Sequence, residues 1–269
     1  TVAPTATTTA NITPATLTVT GTTATPKTYD GTTNVALTGA TLTGVLGSDN
    51  VTLGNATTGT LGNNGNAGTD PVTTAMTTGG TDAGNYVLAQ PTGITAQVSQ
   101  AIINLNGTRA YDGTTTADSS LFGSTINGVA GQTLTLSGSG TLTSKNASPT
   151  PQNLASLGTL ALGNGTGQAS NYTLVGGTDT VTVTPKAITV DATAANKVYD
   201  GNTTATVTGL TGNGVITGDT VNFADTAANF SDKNVGTAKT VTVSGITASG
   251  ADAGNYTVAP TATTTANIT

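Results

Sequence analysis

The chain has 269 residues, a net charge of −6 and only 7% charged residues, with no cysteine, histidine or tryptophan. This composition excludes disulfides, thiolate metal sites and histidine-based catalysis. Seven scattered basic residues form no electrostatic footprint for nucleic acid, and the apolar runs are too short for membrane insertion. Threonine and glycine are abundant, which favours strands and turns over helices.

Two tyrosine motifs recur three times along the chain. The tyrosines of Tyr-Asp-Gly are about 82 and 88 residues apart, which indicates a tandem repeat of about 85 residues. An Asn-Tyr pair follows each Tyr-Asp-Gly, so the six tyrosines all belong to the repeat pattern. We predict these as structural anchors: Tyr29, Asp30, Gly31, Tyr111, Asp112, Gly113, Tyr199, Asp200, Gly201, Asn85, Tyr86, Asn171, Tyr172, Asn255 and Tyr256.

The motifs divide the chain into repeat 1 (14–99), repeat 2 (100–184) and repeat 3 (185–269). Residues 1–13 are identical to residues 257–269, which predicts that they are the last strand of a preceding repeat. Such a strand is expected to lie over repeat 1 or to pair with another molecule. The identity also suggests one long period of about 256 residues within a longer repetitive protein.

Each repeat opens with a strand-like alternation, at 15–19, 101–105 and 187–190. Pro14 and Pro185 precede two of these strands, where a proline costs no ladder hydrogen bond. A basic residue, Lys27, Arg109 or Lys197, then stands two positions before the Tyr-Asp-Gly tyrosine. Because arginine cannot form an isopeptide bond, we expect a salt bridge or stem packing at all three positions.

The Asp-Gly of each Tyr-Asp-Gly motif predicts a turn, since aspartate can bond nearby amides and glycine can adopt positive φ. We expect the adjacent tyrosine to bury its ring and to place its hydroxyl on a backbone partner. On this expectation, Tyr199→Ala costs about 3 kcal/mol or more.

A glycine, a polar residue and a short strand follow in each repeat, at 47–53, 131–136 and 218–223. The segments 62–68 and 144–157 vary most and are predicted to be surface loops. Each repeat closes with a strand at Asn-Tyr and a further alternating run such as 180–184. About seven short strands in each repeat predict an all-β fold, either small β-sandwich (Ig-like) domains or β-grasp-like domains, in an elongated array.

Repeat 3 carries the stretches KVYDGNTTATVTG, GDTVNF, FSDKNVGTAKTVTVSGITASGADAGNYTVAP and TATTTANIT. These stretches resemble the YDG-type repeats of large bacterial surface adhesins. Repeats 1 and 2 depart from this pattern, because the segment 230–236 is only echoed at 143–146 and has no counterpart in repeat 1. The resemblance implies filamentous-haemagglutinin-like exoproteins secreted across the outer membrane, in which such modules form a β-rich stalk.

Few side chains are candidates for catalysis. Most acidic, lysine and tyrosine side chains recur at equivalent positions of the repeats, which indicates a structural role. We therefore expect no enzyme activity. Asp82 and Asp252 offer hard oxygen ligands for calcium, but no ligand-loop spacing surrounds them, and we favour structural capping without a cofactor.

The sequence thus predicts a non-catalytic spacer of an extracellular adhesin or fibre at the bacterial cell surface, with neighbouring repeats as partners. Exposed edge strands and low charge also predict lateral self-association into fibres, as in a biofilm matrix. The alternative is an adhesive module that binds a glycan or a host or matrix protein through the loops 62–68 and 144–157.

Overall fold

A computed structural model describes residue 5 and residues 7–269. This part of the chain is all-β, as predicted, with five 3-10 helices of three or four residues and no α-helix among the described residues. Alternation explains the strands: in the first one Leu17 and Val19 point into the core while the intervening threonines face solvent. The predicted terminal strand at 1–13 falls partly outside the described residues. Residues 7–13 are exposed and form no strand.

Repeat 1 contains eleven strands and one 3-10 helix, which ends at the asparagine of Asn-Tyr. They are β1 (Ala15–Thr20), β2 (Thr23–Ala24), β3 (Lys27–Thr28), β4 (Asn34–Thr38), β5 (Thr41–Thr43), β6 (Thr52–Gly54), β7 (Thr58–Leu61), β8 (Gly68–Thr74), β9 (Thr77–Gly79), the helix Ala83–Asn85, β10 (Tyr86–Ala89) and β11 (Thr95–Ser99).

Repeat 2 follows the same plan with two additional 3-10 helices. Its elements are β12 (Ala101–Ile102), β13 (Asn106–Ala110), β14 (Thr116–Asp118), the helix Ser119–Phe122, β15 (Ile126–Asn127), the helix Val129–Gly131, β16 (Thr133–Ser137), β17 (Ser139–Leu142), β18 (Gln152–Ser156), β19 (Ala161–Asn164), the helix Ala169–Asn171, β20 (Tyr172–Thr173) and β21 (Thr180–Thr184).

Repeat 3 has fewer and longer strands, again with a 3-10 helix that ends at the asparagine of Asn-Tyr. Its elements are β22 (Lys186–Ala194), β23 (Val207–Asn213), β24 (Asn222–Ala224), β25 (Ala227–Phe230), β26 (Gly236–Ser244), β27 (Thr247–Ser249), the helix Ala253–Asn255, β28 (Tyr256–Val258) and β29 (Thr261–Ile268).

The first strand of each repeat pairs in parallel with the strand that begins at the Asn-Tyr tyrosine. These pairs are β1 with β10, β12 with β20, and β22 with β28. The register sets Ala15 opposite Tyr86, Ala101 opposite Tyr172, and Lys186 opposite Tyr256. The Asn-Tyr motif therefore lies beside the start of its own repeat.

A second pairing places Tyr-Asp-Gly beside the end of its repeat. Strand β3 runs parallel to β11, and β13 runs parallel to β21. The amide of each motif tyrosine donates a hydrogen bond of 2.8 Å to a carbonyl near the repeat's C-terminus. These bonds join Tyr29 to Ser99, Tyr111 to Thr184, and Tyr199 to Thr269. In each repeat, Asn-Tyr therefore lies beside the first strand, and Tyr-Asp-Gly lies beside the last residues of the repeat.

The remaining pairings are mainly antiparallel. Repeat 1 has the sheets β10-β1-β5, β6-β9 and β2-β4-β7-β8-β11-β3. Repeat 2 has β12-β20, β15-β16-β19 and β13-β21-β18-β17-β14. Repeat 3 has β23-β22-β28, β24-β27 and β25-β26-β29.

By its internal contacts the chain forms two compact units, and the division runs through repeat 2. One unit contains the described residues up to 103 together with 125–135 and 162–177, and therefore repeat 1 with the β12-β20 and β15-β16-β19 part of repeat 2. The other contains residues 104–124, 136–161 and 178–269, and therefore the five-stranded sheet of repeat 2 with repeat 3. Each unit thus includes one junction between successive repeats.

Aliphatic side chains supply most of the buried core. In repeat 3 Val241 and Val243 of β26 are fully buried beside Phe230 and Ile268. In repeat 1 the fully buried Leu17 has the same role near the start of the chain. Few large aromatics are available, so each buried ring contributes a substantial fraction of its unit's apolar area.

Several local predictions are confirmed. Strands begin directly after Pro14 and Pro185, and 180–184 is β21 over its full length. Part of the loop predicted at 144–157 is wrong, because β18 pairs there with β17 and β21. The sequence Gln-Asn-Leu-Ala-Ser has no β-branched residue, and its neighbours impose the extended conformation. The choice between a sandwich and a β-grasp architecture stays a prediction.

Candidate interaction site at the repeat junctions

Junction 1 joins Tyr29 of repeat 1 to Tyr172 of repeat 2. The two rings meet edge to face, with centroids 5.4 Å apart and planes at 80°, which is a favoured aromatic geometry. Gln132 lies beside both hydroxyls. Its amide nitrogen donates to Tyr29 Oη at 2.7 Å, and its oxygen accepts from Tyr172 Oη at 2.9 Å. The backbone N–H of Val129 completes the set by donating to Tyr172 Oη at 3.1 Å.

Asn171 forms the second part of junction 1. Its side-chain oxygen accepts the backbone N–H of Ala67 at 2.8 Å, and its side-chain nitrogen donates to Asn66 at 2.8 Å. Gly31 also lies at the junction, since a Cβ built there would approach the Cβ of Ala130 to 2.9 Å. Asn171 is almost fully buried, so its hydrogen-bonded side-chain amide is a specific polar link between the two repeats.

Junction 2 repeats this geometry with a charged centre. Tyr111 and Tyr256 meet edge to face at 5.5 Å and 80°. Asp219 stands where Gln132 stands in junction 1, and its carboxylate accepts from Tyr111 Oη at 2.8 Å and from Tyr256 Oη at 2.5 Å. Lys145 of repeat 2 pairs with the other carboxylate oxygen at 3.3 Å. The backbone N–H of Ile216 donates to Tyr256 Oη at 2.9 Å.

The asparagine link also recurs at junction 2. Asn255 accepts the backbone N–H of Ala147 at 2.9 Å and donates to Asn146 at 3.4 Å. A Cβ added to Gly113 would approach the Cγ2 of Ile216 to 2.9 Å. The two junctions therefore use the same positions of the repeat in the same contacts.

Burial shifts the pKa values at junction 2. Burial and the hydrogen bond to Asp219 raise the pKa of Tyr256 to about 12, and the same two causes raise the pKa of Tyr111. Burial acts to raise the pKa of Asp219, but hydrogen bonds from Tyr256, Tyr111 and Lys145 outweigh it and hold that pKa below its ordinary value. At neutral pH the tyrosines are therefore protonated donors and Asp219 is an ionised acceptor.

The two groups of junction residues form two faces on a repeat. The trailing face carries the Tyr-Asp-Gly tyrosine with the loop segment 65–67, 145–147 or 233–235. The leading face carries Asn-Tyr with the central polar residue and the apolar residue that precedes it by three. Those pairs are Leu46 with Asp49, Val129 with Gln132, and Ile216 with Asp219. Each junction is a trailing face against a leading face.

Among the predicted tyrosine and asparagine anchors, three lie outside such a junction: Tyr199, Asn85 and Tyr86. The ring of Tyr199 is 50% exposed, whereas Tyr29 and Tyr111 are 6% and 1% exposed. The predicted burial of Tyr199 is therefore wrong, because the following repeat rather than the tyrosine's own repeat covers the ring of this motif. Tyr86 is buried, donates to Asp49 at 2.6 Å and accepts from the Leu46 amide at 3.0 Å, while Asn85 is exposed.

The hydroxyl partners also differ from the expectation. The Tyr29 and Tyr111 hydroxyls bind the side chains of Gln132 and Asp219 rather than backbone atoms. Backbone amides instead reach the hydroxyls of the Asn-Tyr tyrosines. The Tyr-Asp-Gly tyrosine is buried at two of three positions. Its partners lie about one hundred residues away in the sequence, which a local pattern does not show.

The Asp-Gly turns are formed as predicted. Each aspartate accepts the amide two residues ahead, in the pairs Asp30 with Thr32, Asp112 with Thr114, and Asp200 with Asn202. Gly31, Gly113 and Gly201 all have φ between 77° and 82°, where a side chain is strained. The basic residues that precede the motifs form salt bridges with these aspartates, in the pairs Lys27 with Asp30, Arg109 with Asp112, and Lys197 with Asp200.

Asp82 and Asp252 are used structurally, as favoured from the sequence. Their carboxylates accept the backbone amides of Asn50 and Thr220 at 2.8 Å. The described residues contain no group of three or more acidic, histidine or cysteine side chains arranged to hold a metal. Within the same part of the chain, no helix has the length and apolar character needed to cross a membrane.

Comparison with known families agrees with the repeat structure. The YDG domain family matches residues 13–93, 94–182 and 184–266. The chain belongs to the YDG domain family. Searches of curated proteins and of solved structures gave no match. In these YDG domains, the motif that gives the family its name forms the trailing face, and Asn-Tyr forms the leading face.

The sequence did not reveal the central junction residues of the YDG domains. Gln132 and Asp219 stood in a pattern assigned to a turn before a strand, and Asn66 and Asn146 stood in segments assigned to surface loops. One signal was available, since an asparagine followed by alanine or valine recurs at 66–67, 146–147 and 234–235. Aligning the three repeats at this pair would have indicated a shared role.

Proposed function

We propose that this chain is a non-catalytic spacer segment of a large extracellular adhesin or fibre of the bacterial cell surface, in which serial YDG domains carry a binding region. The observation that supports this proposal is the use of the recurring side chains. Tyr29, Tyr111, Asn171 and Asn255 join one repeat to the next. A chain whose repeated residues serve its own junctions is suited to transmit position and force.

The adhesive alternative has less support from these contacts. Binding through the loops 62–68 and 144–157 would need those loops to be free for a ligand. Their residues Asn66, Ala67, Asn146 and Ala147 instead bond to the following repeat. Replacing the rest of each loop by Gly-Ser is expected to leave glycan and host-protein binding unchanged, and lost binding would favour the adhesive module.

Small-angle scattering of the purified chain tests the spacer proposal. A spacer of three domains in line is expected to give a radius of gyration of about 28 Å or more, whereas a compact globule of this length gives about 18 Å. Samples at several concentrations, extrapolated to zero, exclude association as the cause of a large value. The smaller value would contradict a spacer.

A further inference from the structure

The trailing face of repeat 3 is exposed where its counterparts are covered. Tyr199 is half exposed, and Val198 and Val235 beside the same motif and loop are also exposed. Tyr29 and Tyr111, the tyrosines equivalent to Tyr199, are buried against Tyr172 and Tyr256. A Cβ added to Gly201 meets nothing within 4 Å, in contrast to Gly31 and Gly113. This face has the residues of a junction without a leading face against it.

The leading face of repeat 1 shows the complementary exposure. Leu46 is 61% exposed, whereas its equivalents Val129 and Ile216 are half-buried. Tyr86 already bonds to Asp49, as Tyr256 bonds to Asp219. The contacts within this face are therefore formed as at junction 2. The contact with a tyrosine of a preceding repeat is the one that this face lacks.

A hollow marks the position of that missing ring. It has a volume of about 260 Å³ and is lined by Ile12, Leu46, Asp49, Asn85 and Tyr86, among others. At the two formed junctions the corresponding place holds the tyrosine of the preceding repeat against the Asn-Tyr ring. The hollow therefore lies at the position that a tyrosine ring occupies in the two junctions that the chain forms.

Charge selects which faces match. Junction 2 pairs Lys145 with Asp219, whereas junction 1 has glycine at 65 and Gln132 at the same positions and is neutral. The exposed trailing face of repeat 3 carries Lys233 at the lysine position, and the leading face of repeat 1 carries Asp49 at the aspartate position. These two faces therefore have the charged pairing of junction 2, and Lys233 against Gln132 would be left without a carboxylate.

The sequence order agrees with the same pairing. Residues 257–269, which close repeat 3, are identical to residues 1–13, which lead into repeat 1. The same 13-residue sequence therefore ends repeat 3, which contains Lys233, and precedes repeat 1, which contains Asp49.

We propose that the trailing face of repeat 3 binds the leading face of repeat 1 in a second copy of this sequence. Tyr199 fills the hollow against Tyr86, with its hydroxyl and Lys233 on Asp49. Asn85 accepts the amide of Val235, as Asn171 and Asn255 accept those of Ala67 and Ala147. The result is a third junction that continues the series from one copy to the next, and it holds whether or not the chain serves as a spacer.

The test uses the reactivity of Tyr199 toward tetranitromethane. The proteolytic peptide 198–233, which becomes 198–239 when Lys233 is replaced, contains this tyrosine and no other, so mass spectrometry reads its nitration directly. Two proteins are compared: the chain itself, and residues 1–269 followed directly by residues 14–269 with Tyr199→Phe in the second copy. We expect Tyr199 in the tandem protein to be nitrated about tenfold or more slowly, because a joint that is open about a tenth of the time protects by that factor.

Charge and contact variants identify the joint as the cause of protection. Asp49→Lys in the second copy is expected to restore the nitration rate, and Lys233→Asp in the first copy together with it is expected to return protection. Asp118→Lys is the matched control, because it makes the same charge change at an exposed carboxylate away from both faces. It is expected to leave protection unchanged.

A separate arm distinguishes a following copy in the same polypeptide from a separate molecule. The Tyr199→Phe chain is added in excess to the single wild-type chain. Slower nitration there shows binding between molecules, and slower nitration only in the tandem protein shows a junction within one polypeptide. An unchanged rate in both arms, or protection that survives Asp49→Lys, would overturn the proposal. Neither outcome depends on the radius of gyration that tests the spacer.

Discussion

Tyrosine in the Tyr-Asp-Gly motif is buried only where a following repeat lies against it. Tyr111 is closed in by Tyr256 and bonds to Asp219, while Tyr199 has the same local sequence and stays half exposed. The local turn and the salt bridge to the preceding base are formed at both. The energetic role of this residue is therefore decided by a partner outside its own repeat.

Replacing these tyrosines is expected to have unequal effects. Tyr111→Ala removes a buried ring and one of the three hydrogen-bond donors to Asp219, so we expect it to lower the free energy of unfolding by about 3 kcal/mol or more. Tyr199→Ala removes an exposed ring and is expected to cost less than about 1 kcal/mol. Urea unfolding followed by circular dichroism measures both. Equal losses would contradict the assignment of the ring's cover to the next repeat.

Asp219 is expected to make junction 2 sensitive to acid. Its pKa is lowered in the folded state, so its stabilising contribution is fully present above the ordinary value of 3.8 and is lost as the pH falls through the lower folded value. Asp219→Asn should therefore destabilise the chain at pH 6 and make progressively less difference below about pH 4.

Urea midpoints of the wild type and Asp219→Asn across this pH range provide the measurement. Junction 1 offers an internal comparison, since Gln132 does not titrate in its place. A difference between the two proteins that stays constant down to pH 2 would show that the carboxylate's charge has no role in the junction.

At the scale of the elements, parallel pairing positions the site. The pairs of β1 with β10 and of β3 with β11 place Asn-Tyr at the start of a repeat and Tyr-Asp-Gly at its end. Short strands of two to six residues suffice for this, because the Asp-Gly turns and the salt-bridged basic residues fix the chain between them. Each motif is thus fixed by the strands of its own repeat and contacts the face of a neighbouring repeat.

Glycine substitutions separate the turn from the junction. All three motif glycines have positive φ, so alanine at any of them is expected to cost about 1 to 2 kcal/mol of strain. Gly113→Ala also drives a methyl group against Ile216, while Gly201→Ala meets open space. We expect Gly113→Ala to be the more destabilising in a thermal melt. Equal shifts in melting temperature would mean that Ile216 moves aside at no cost.

Strand positions were predictable from the sequence, whereas the contacts between repeats were not. Alternation and the prolines predicted β1, β21 and β22, because such strands depend on local hydrophobic pattern. The segment 101–105 was predicted as one strand but contains only the two-residue β12 before β13 begins at Asn106. The roles of Gln132 and Asp219 could not be predicted, since their contacts join residues about one hundred positions apart and depend on packing between repeats.

At the scale of the whole molecule, the compact units do not coincide with the repeats. Each unit joins one complete repeat to part of repeat 2, and each encloses a junction. Repeats that pack in this way stabilise one another, as expected for units of about 85 residues that bury only a moderate fraction of their surface. The recurrence of the tyrosines then follows from the need to couple neighbours, rather than from the needs of any single repeat.

The most direct test of this account is a double-mutant cycle on Tyr111 and Tyr256. Free energies of unfolding for the two alanine variants and their combination give the coupling between rings that belong to different repeats. We expect a coupling of about 1 kcal/mol or more, with Tyr29 and Tyr256, which belong to different junctions, as an uncoupled control in the same chain. If the losses for Tyr111 and Tyr256 add to within about 0.3 kcal/mol, the tyrosines do not join the repeats and the account is wrong.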